Sequence, residues 1–347
     1  MLCAACATPA EERVAGHREP ILYGADDRLE VFEHPDAALR ELARASLVAL
    51  MPRTNVVRDA AEPRIEGEAL ADFYGLCPEQ RFAAQPVAAT CSGVLIDSDL
   101  VLTAAHCISD GRDAPSCVEQ AFVFDYYYDA AGQLAALSDA SIYGCAAVVV
   151  RERSAPGQRP RGDFAVVQLD REVSDDRRPV SLSTAELVPD QPLVTLGFPL
   201  GLPAKVDPAA RAVDPRSDRG DVFSLRTDVF EGGSGGPVLD ANGALVGVLG
   251  RGGADLRDTD AGCAVAAVVA EGEQPAFFEQ ATYAQRAIDA LCAKGWRSAR
   301  CEAAAGDAPP GCAVAHHPSG CRSALVLLAA FALAQRMRLR ATRRTYS

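Results

Sequence analysis

The stretch Glu231-Gly232-Gly233-Ser234-Gly235-Gly236-Pro237-Val238-Leu239 sets four glycines around one serine and runs straight into an apolar pair. Glycine-rich loops are often flexible, because glycine has no Cβ to restrict its backbone. Here Pro237 follows at once with its φ fixed, and Val238-Leu239 has the composition of a buried strand. The loop is therefore read as a shaped turn mounted on a β-strand. Outward from it, Asp240-Ala241-Asn242-Gly243 separates 237–239 from a second apolar run, 245–249. An Asn-Gly pair between two apolar runs signals a hairpin. Similar short runs recur at 46–51, 87–96, 100–104, 121–127, 146–150, 164–169, 193–197 and 222–225, separated by turn residues such as Asp97-Ser98-Asp99 and Pro156-Gly157. Short strands without intervening helices predict an all-β sandwich or barrels. Two helices are expected as exceptions, at 36–44 and 281–291, the latter with Ala284, Ala287, Ile288 and Leu291 at helical spacing. No internal sequence repeat is visible.

The chain has 347 residues, 49 % hydrophobic and 23 % charged, as in an ordinary globular protein with a sizeable core. Its formal net charge of −13 lacks the basic footprint of a nucleic-acid binder, so no nucleic-acid partner is expected. Of the 12 cysteines only Cys3 and Cys6 stand two residues apart, with no second pair at ribbon spacing. The five histidines do not gather with cysteines, so no metal is expected. An even number of scattered cysteines reads as disulfides made in an oxidising compartment.

The ends have their own character. Residues 1–10, MLCAACATPA, look like the close of an export signal, so 1–20 is read as a signal remnant or propeptide. Residues 293–321 are rich in Ala, Gly and Pro and read as a linker, which Cys292/Cys301 and Cys312/Cys321 would staple. His316-His317 within it is read as a solvated pair. Then follow an apolar run, 324–334, and Arg336, Arg338, Arg340, Arg343 and Arg344. No apolar run reaches the roughly 18 residues of an ordinary spanning helix. The order cysteine, apolar segment, basic end over 322–347 resembles the C-terminal sorting tails of myxobacterial surface proteins. That resemblance implies a secreted or surface-held bacterial protein, attached to membrane or cell surface through its tail.

Three segments carry chemistry. Leu100-Val101-Leu102-Thr103-Ala104-Ala105-His106-Cys107 ends a strand on a histidine, and a Cys91–Cys107 bridge would pin the loop that holds it. Gly162-Asp163-Phe164-Ala165-Val166 opens a strand on an aspartate. The glycine loop presents Ser234 and lets backbone N–H groups converge as an oxyanion hole requires.

His106, Asp163 and Ser234 form a Ser-His-Asp set in the chain order His, Asp, Ser. That order, with Thr-Ala-Ala-His-Cys, Gly-Gly-Ser-Gly-Gly-Pro and the spacing of Cys91 and Cys107, resembles the chymotrypsin-like serine peptidases over about 21–291. Tyr23-Gly24-Ala25-Asp26-Asp27-Arg28 and Gly197-Phe198-Pro199 look more like the bacterial glutamyl-endopeptidase branch. The resemblance implies two six-stranded antiparallel Greek-key β-barrels with a C-terminal helix, spanning 21–175 and 176–292. It implies a cofactor-free serine endopeptidase acting on polypeptides, and a monomer is expected. Ser234 would be the nucleophile, His106 the base and Asp163 its orienter, with the N–H groups of Gly232 and Ser234 as oxyanion donors. A non-catalytic binding protein on the same fold and an esterase are the rival readings.

One departure is Gly233, where animal zymogens carry an aspartate that pairs with a newly cut N-terminus. Ile21-Leu22-Tyr23-Gly24 would lack that acidic partner. By elimination Cys117 would pair with Cys145, and Cys77 with Cys263. In the trypsin-like peptidases that the chain resembles, the pocket floor lies six residues before the serine, so the resemblance implies Asp228 there, favouring basic residues, with a purely structural aspartate as the alternative. Arg251 is the competing determinant and would favour acidic ones. The segment 53–75 has no evident role.

Overall fold

The central strands of this chain are buried on both faces, which is why they read as apolar runs and not as alternation. Leu47–Pro52 (β1), Cys91–Asp97 (β2) and Leu100–Thr103 (β3) are almost wholly buried. Alternate side chains serve two clusters. Val48, Leu50, Leu95 and Val101 join Phe122 and Phe124. Leu47, Ala49, Met51, Val94 and Leu102 join a second cluster that continues to Leu196 and Val248.

A computed structural model describes residues 22–58, 62–108, 116–154, 162–216, 219–253, 255–269, 278–298 and 300–301. The expectations for 1–20, for Cys312/Cys321 and for the tail 322–347 lie outside these residues. No helix among the described residues is long and apolar enough to cross a membrane.

The first sheet adds Gln120–Val123 (β4), Ile142–Tyr143 (β5), Cys145–Arg153 (β6) and Asp163–Leu169 (β7). Its order is β5-β4-β1-β2-β3-β7-β6. The two ends of that order, β5 and β6, are consecutive in the chain around Gly144, so one bent strand closes the sheet into a barrel of six. Gly144 sits at the bend, where a Cβ would lie 2.5 Å from Arg53 Nη2 and 2.7 Å from Asp170 Oδ2, so a larger residue would displace those side-chain ends. The order β4-β1-β2-β3 is a Greek key.

The second sheet is built from Val194–Gly197 (β8), Lys205–Asp207 (β9), Arg211–Asp214 (β10), Val222–Arg226 (β11), Pro237–Leu239 (β12), Leu245–Arg251 (β13) and Glu279–Tyr283 (β14). Its order is β10-β11-β14-β13-β12-β8-β9, with Leu29–Glu30 added beside β9. Again the ends, β9 and β10, are neighbours in the chain, and a bent strand closes a barrel of six. With each bent strand counted once, the two barrels have the same circular order of strands.

Helix α1, Ala37–Ser46, starts on Asp36, whose carboxylate accepts the Ala38 N–H at 2.8 Å. Helix α2, Ala284–Ala293, buries Ala284, Ala287, Ile288 and Leu291 as their spacing predicts. It starts three residues later than expected, because 281–283 belong to β14. Cystines join Cys77–Cys263, Cys91–Cys107, Cys117–Cys145 and Cys292–Cys301.

Candidate active site

The strand β3 delivers His106 within a single tight turn, Ala105–Cys107, that the Cys91–Cys107 cystine ties back to β2. Asp163 opens the neighbouring strand β7 and is 6 % exposed. Its Oδ1 accepts the His106 backbone N–H at 3.1 Å, and its Oδ2 lies 2.9 Å from His106 Nδ1. Burial alone would raise the Asp163 carboxyl. The hydrogen bonds from His106 and the charge of its ring outweigh burial and hold it below the ordinary carboxylate range. The Asp163 N–H donates to Thr282 Oγ1 of β14 at 2.9 Å, so the second barrel supports the acid of the first.

The glycine loop lies between β11 and β12. The Gly233 N–H donates to the Phe230 carbonyl at 2.9 Å and the Gly236 N–H to the Gly233 carbonyl at 2.8 Å, which rolls the loop around Ser234. Gly232 has φ 87°, and a Cβ there would sit 2.5 Å from the Phe198 carbonyl oxygen, so only glycine fits. The backbone N–H groups of Gly232 and Ser234 meet no acceptor among the described residues. Buried Ser92 joins this loop to the first barrel. Its N–H donates to the Ser234 carbonyl at 2.8 Å, and its hydroxyl to the Gly232 carbonyl at 2.8 Å.

His106 and Ser234 line one cleft of about 310 Å³. The opposite wall is Val229, Phe230 and Glu231, the end of β13 from Leu249 to Arg251, Gly252, Gly253, Asp255 and Glu279. His106 and Ser234, 128 positions apart, thus share one cleft, and Asp163 reaches it only through the ring of His106.

Asp228 is held by the segment before the first barrel, the structural of its two expected roles. It is 5 % exposed, and its oxygens accept the N–H groups of Tyr23 at 2.9 Å and Asp27 at 3.3 Å. The carboxylate docks the segment 22–27, whose Leu22–Tyr23 pairs with Val268–Val269. Burial, helped by Asp207 and opposed by the Tyr23 N–H, pushes the Asp228 carboxyl up to about 7. Arg251 does line the cleft. The end of segment 53–75, to which the sequence assigned no role, and the residues after it buttress the far wall: Leu70 and Leu76 pack with Phe230 and Ala264, and Cys77 is bonded to Cys263. Cys91, His106 and Cys107 bring their donor atoms within 4.8 Å, but the two sulfurs are joined to each other and offer no thiolate.

Sequence reasoning missed Ser92, Thr282 and Glu279. Each contributes by touching a residue more than 100 positions away, and no local motif marks such a pairing.

Residues 91–248 match the trypsin-like peptidase domain. This span carries His106, Asp163 and Ser234. Over 92 residues the chain is 35 % identical to serine protease Rv3671c of Mycobacterium tuberculosis strain H37Rv, covering 23 % of this chain and 23 % of that protein. The chain thus matches about a quarter of the length of the curated relatives it resembles. Among solved structures, the inactive form of Rv3671c protease superposes with a TM-score of 0.39 at 19 % identity, covering 76 % of this chain and 98 % of that one. A Glu endopeptidase in complex with MPD superposes with a TM-score of 0.47 at 15 % identity, covering 80 % and 100 %.

Proposed function

We propose that this chain is a serine endopeptidase that works through Ser234, His106 and Asp163. The observation that supports the reading most is the pairing of His106 Nδ1 with buried Asp163, on a cleft that also holds Ser234 and two N–H groups without acceptors. With Nδ1 engaged, Nε2 is the nitrogen left to act on Ser234. The Ser234 oxygen attacks a peptide carbonyl and its proton passes to His106. The tetrahedral oxyanion takes hydrogen bonds from Gly232 and Ser234 N–H. The proton then moves to the departing amine, leaving an acyl-enzyme that water hydrolyses with the same base. Asp163 holds the ring's orientation and stabilises its charged form.

Four cystines suit an oxidising compartment, so we place the enzyme outside the cytoplasm. Recovery of the native protein from a reduced cytosolic fraction would contradict that placement.

The test of the reading is a fluorophosphonate probe on the folded chain. Labelling of the wild type and none of Ser234→Ala is expected. An unlabelled folded protein would favour a binding protein on this scaffold. Ester hydrolysis without peptide hydrolysis would favour an esterase.

A further inference from the structure

We propose that Glu279 selects the substrate side chain just before the cleaved bond, and that this side chain is a lysine or an arginine. The inference rests on the peptidase reading above and names the substrate class of that cleft.

Glu279 is the first residue of β14. That strand pairs with β13 so that Gln280 faces Arg251, which brings Glu279 to the end of the wall opposite Ser234. It lines the cleft, yet it is 1 % exposed. One oxygen, Oε2, accepts the Tyr23 hydroxyl at 2.9 Å. The other, Oε1, is buried and has no hydrogen-bond partner. A buried carboxyl oxygen with nothing to accept is costly, and a cationic donor brought in by substrate relieves it. The wall beside it carries no side chain at Gly252, where a Cβ would lie 4.0 Å from Glu279 Cγ.

The surrounding charge agrees. Glu231 and Asp255 line the same cleft, and among the described lining residues Arg251 is the single basic side chain besides His106. Arg251 is half-buried at the end of β13, where its backbone pairs with Gln280. An acidic substrate side chain would face three carboxyl groups. Burial, with Asp228 and Asp255 nearby, pushes the Glu279 carboxyl up to about 8, against the pull of its own backbone N–H and of the Tyr23 hydroxyl. An incoming ammonium or guanidinium reverses that balance by favouring the ionised form.

The experiment uses the full chain, with active sites first counted by the fluorophosphonate probe. Peptides differing only in the residue before the cut carry Lys, Arg, Leu, Gln or Glu. We expect Lys and Arg to be preferred. Glu279→Gln should lower kcat/KM for them by at least about tenfold while Leu peptides change little, and Arg251→Gln should keep the preference. In parallel, butylammonium and phenylguanidinium, as free head groups, should slow labelling of the wild type and not of Glu279→Gln. Preference for Glu that Arg251→Gln abolishes would overturn the proposal, as would a basic preference that survives Glu279→Gln. If that variant does not fold, protection of the wild type by the two cations supports the proposal and its absence overturns it. Failure to label at all removes the peptidase reading and this inference together.

Discussion

Asp163 depends on a residue of the other barrel. Its buried N–H donates to Thr282 Oγ1, and its carboxylate faces His106. Thr282→Val keeps the shape and removes the acceptor, which should cost about 1–3 kcal/mol of stability in urea unfolding. Turnover should fall too, because the acid that orients His106 loses its support. Asp163→Asn leaves the packing but presents the wrong partner to Nδ1, and turnover should drop by about 10⁴-fold. Two other carboxyls give a pH signature. Asp228 and Glu279 keep their protons up to about 7 and about 8, whereas in the unfolded chain both release them near about 4. Between those values the folded state binds more protons, so stability falls as pH rises through that window. Asp163 acts the other way, its contribution being lost only as pH falls through its depressed folded value. Melting temperatures from about pH 5 to about pH 8 should therefore decline less in Glu279→Gln than in the wild type. Parallel curves would refute the assignment.

At the scale of the element, the serine loop and one charged strand carry the argument. Gly232 has φ 87° and no room for a Cβ. Gly232→Ala should move its N–H off the oxyanion and lower kcat by about 10²–10³-fold, measured on active-site-titrated enzyme. Strand β9 shows why some strands escape reading. Lys205 and Asp207 break its apolar pattern, yet they are 2 % and 3 % exposed. Lys205 reaches Glu30 at 3.1 Å and Gln85 at 2.9 Å, which satisfies the buried ammonium. Lys205→Met leaves Glu30 buried without its cation and should cost about 3–5 kcal/mol in urea unfolding. Adding Glu30→Gln should recover part of that loss. Strand β14 escaped for another reason: Ala281 continues the helical spacing of α2 backwards, and only pairing with β11 and β13 makes 279–283 extended.

Across the whole molecule, two barrels with one circular strand order arise from halves that share no visible repeat. Strand order depends on which apolar faces meet, and many different apolar residues satisfy the same meeting. The site needs both halves, because His106 and Asp163 come from one barrel, and Ser234, Thr282 and Glu279 from the other. The cystine Cys77–Cys263 spans 186 positions and holds the segment around Leu70 and Leu76 against the cleft's far wall. Cys77→Ser with Cys263→Ser should lower stability by about 2–5 kcal/mol, read by urea unfolding of the oxidised protein. Equal stability would mean that apolar packing alone holds that wall.

By itself the sequence determined the β character, the helix faces and the serine loop, and it singled out His106, Asp163 and Ser234 as the residues of the proposed site. Those features are local: a strand next to its turn, a glycine where φ must be positive, a short motif around each reactive residue. Only the tertiary structure decided that Asp228 docks the segment 22–27 and that Glu279 stands in the cleft. The resemblance to trypsin-like peptidases points to Asp228, six residues before Ser234, with no knowledge of where its side chain turns. Its destination depends on Tyr23, 205 positions away, whose N–H takes the carboxylate and whose hydroxyl reaches Glu279. Chain spacing carries no record of such a contact, because it forms only once both barrels have closed.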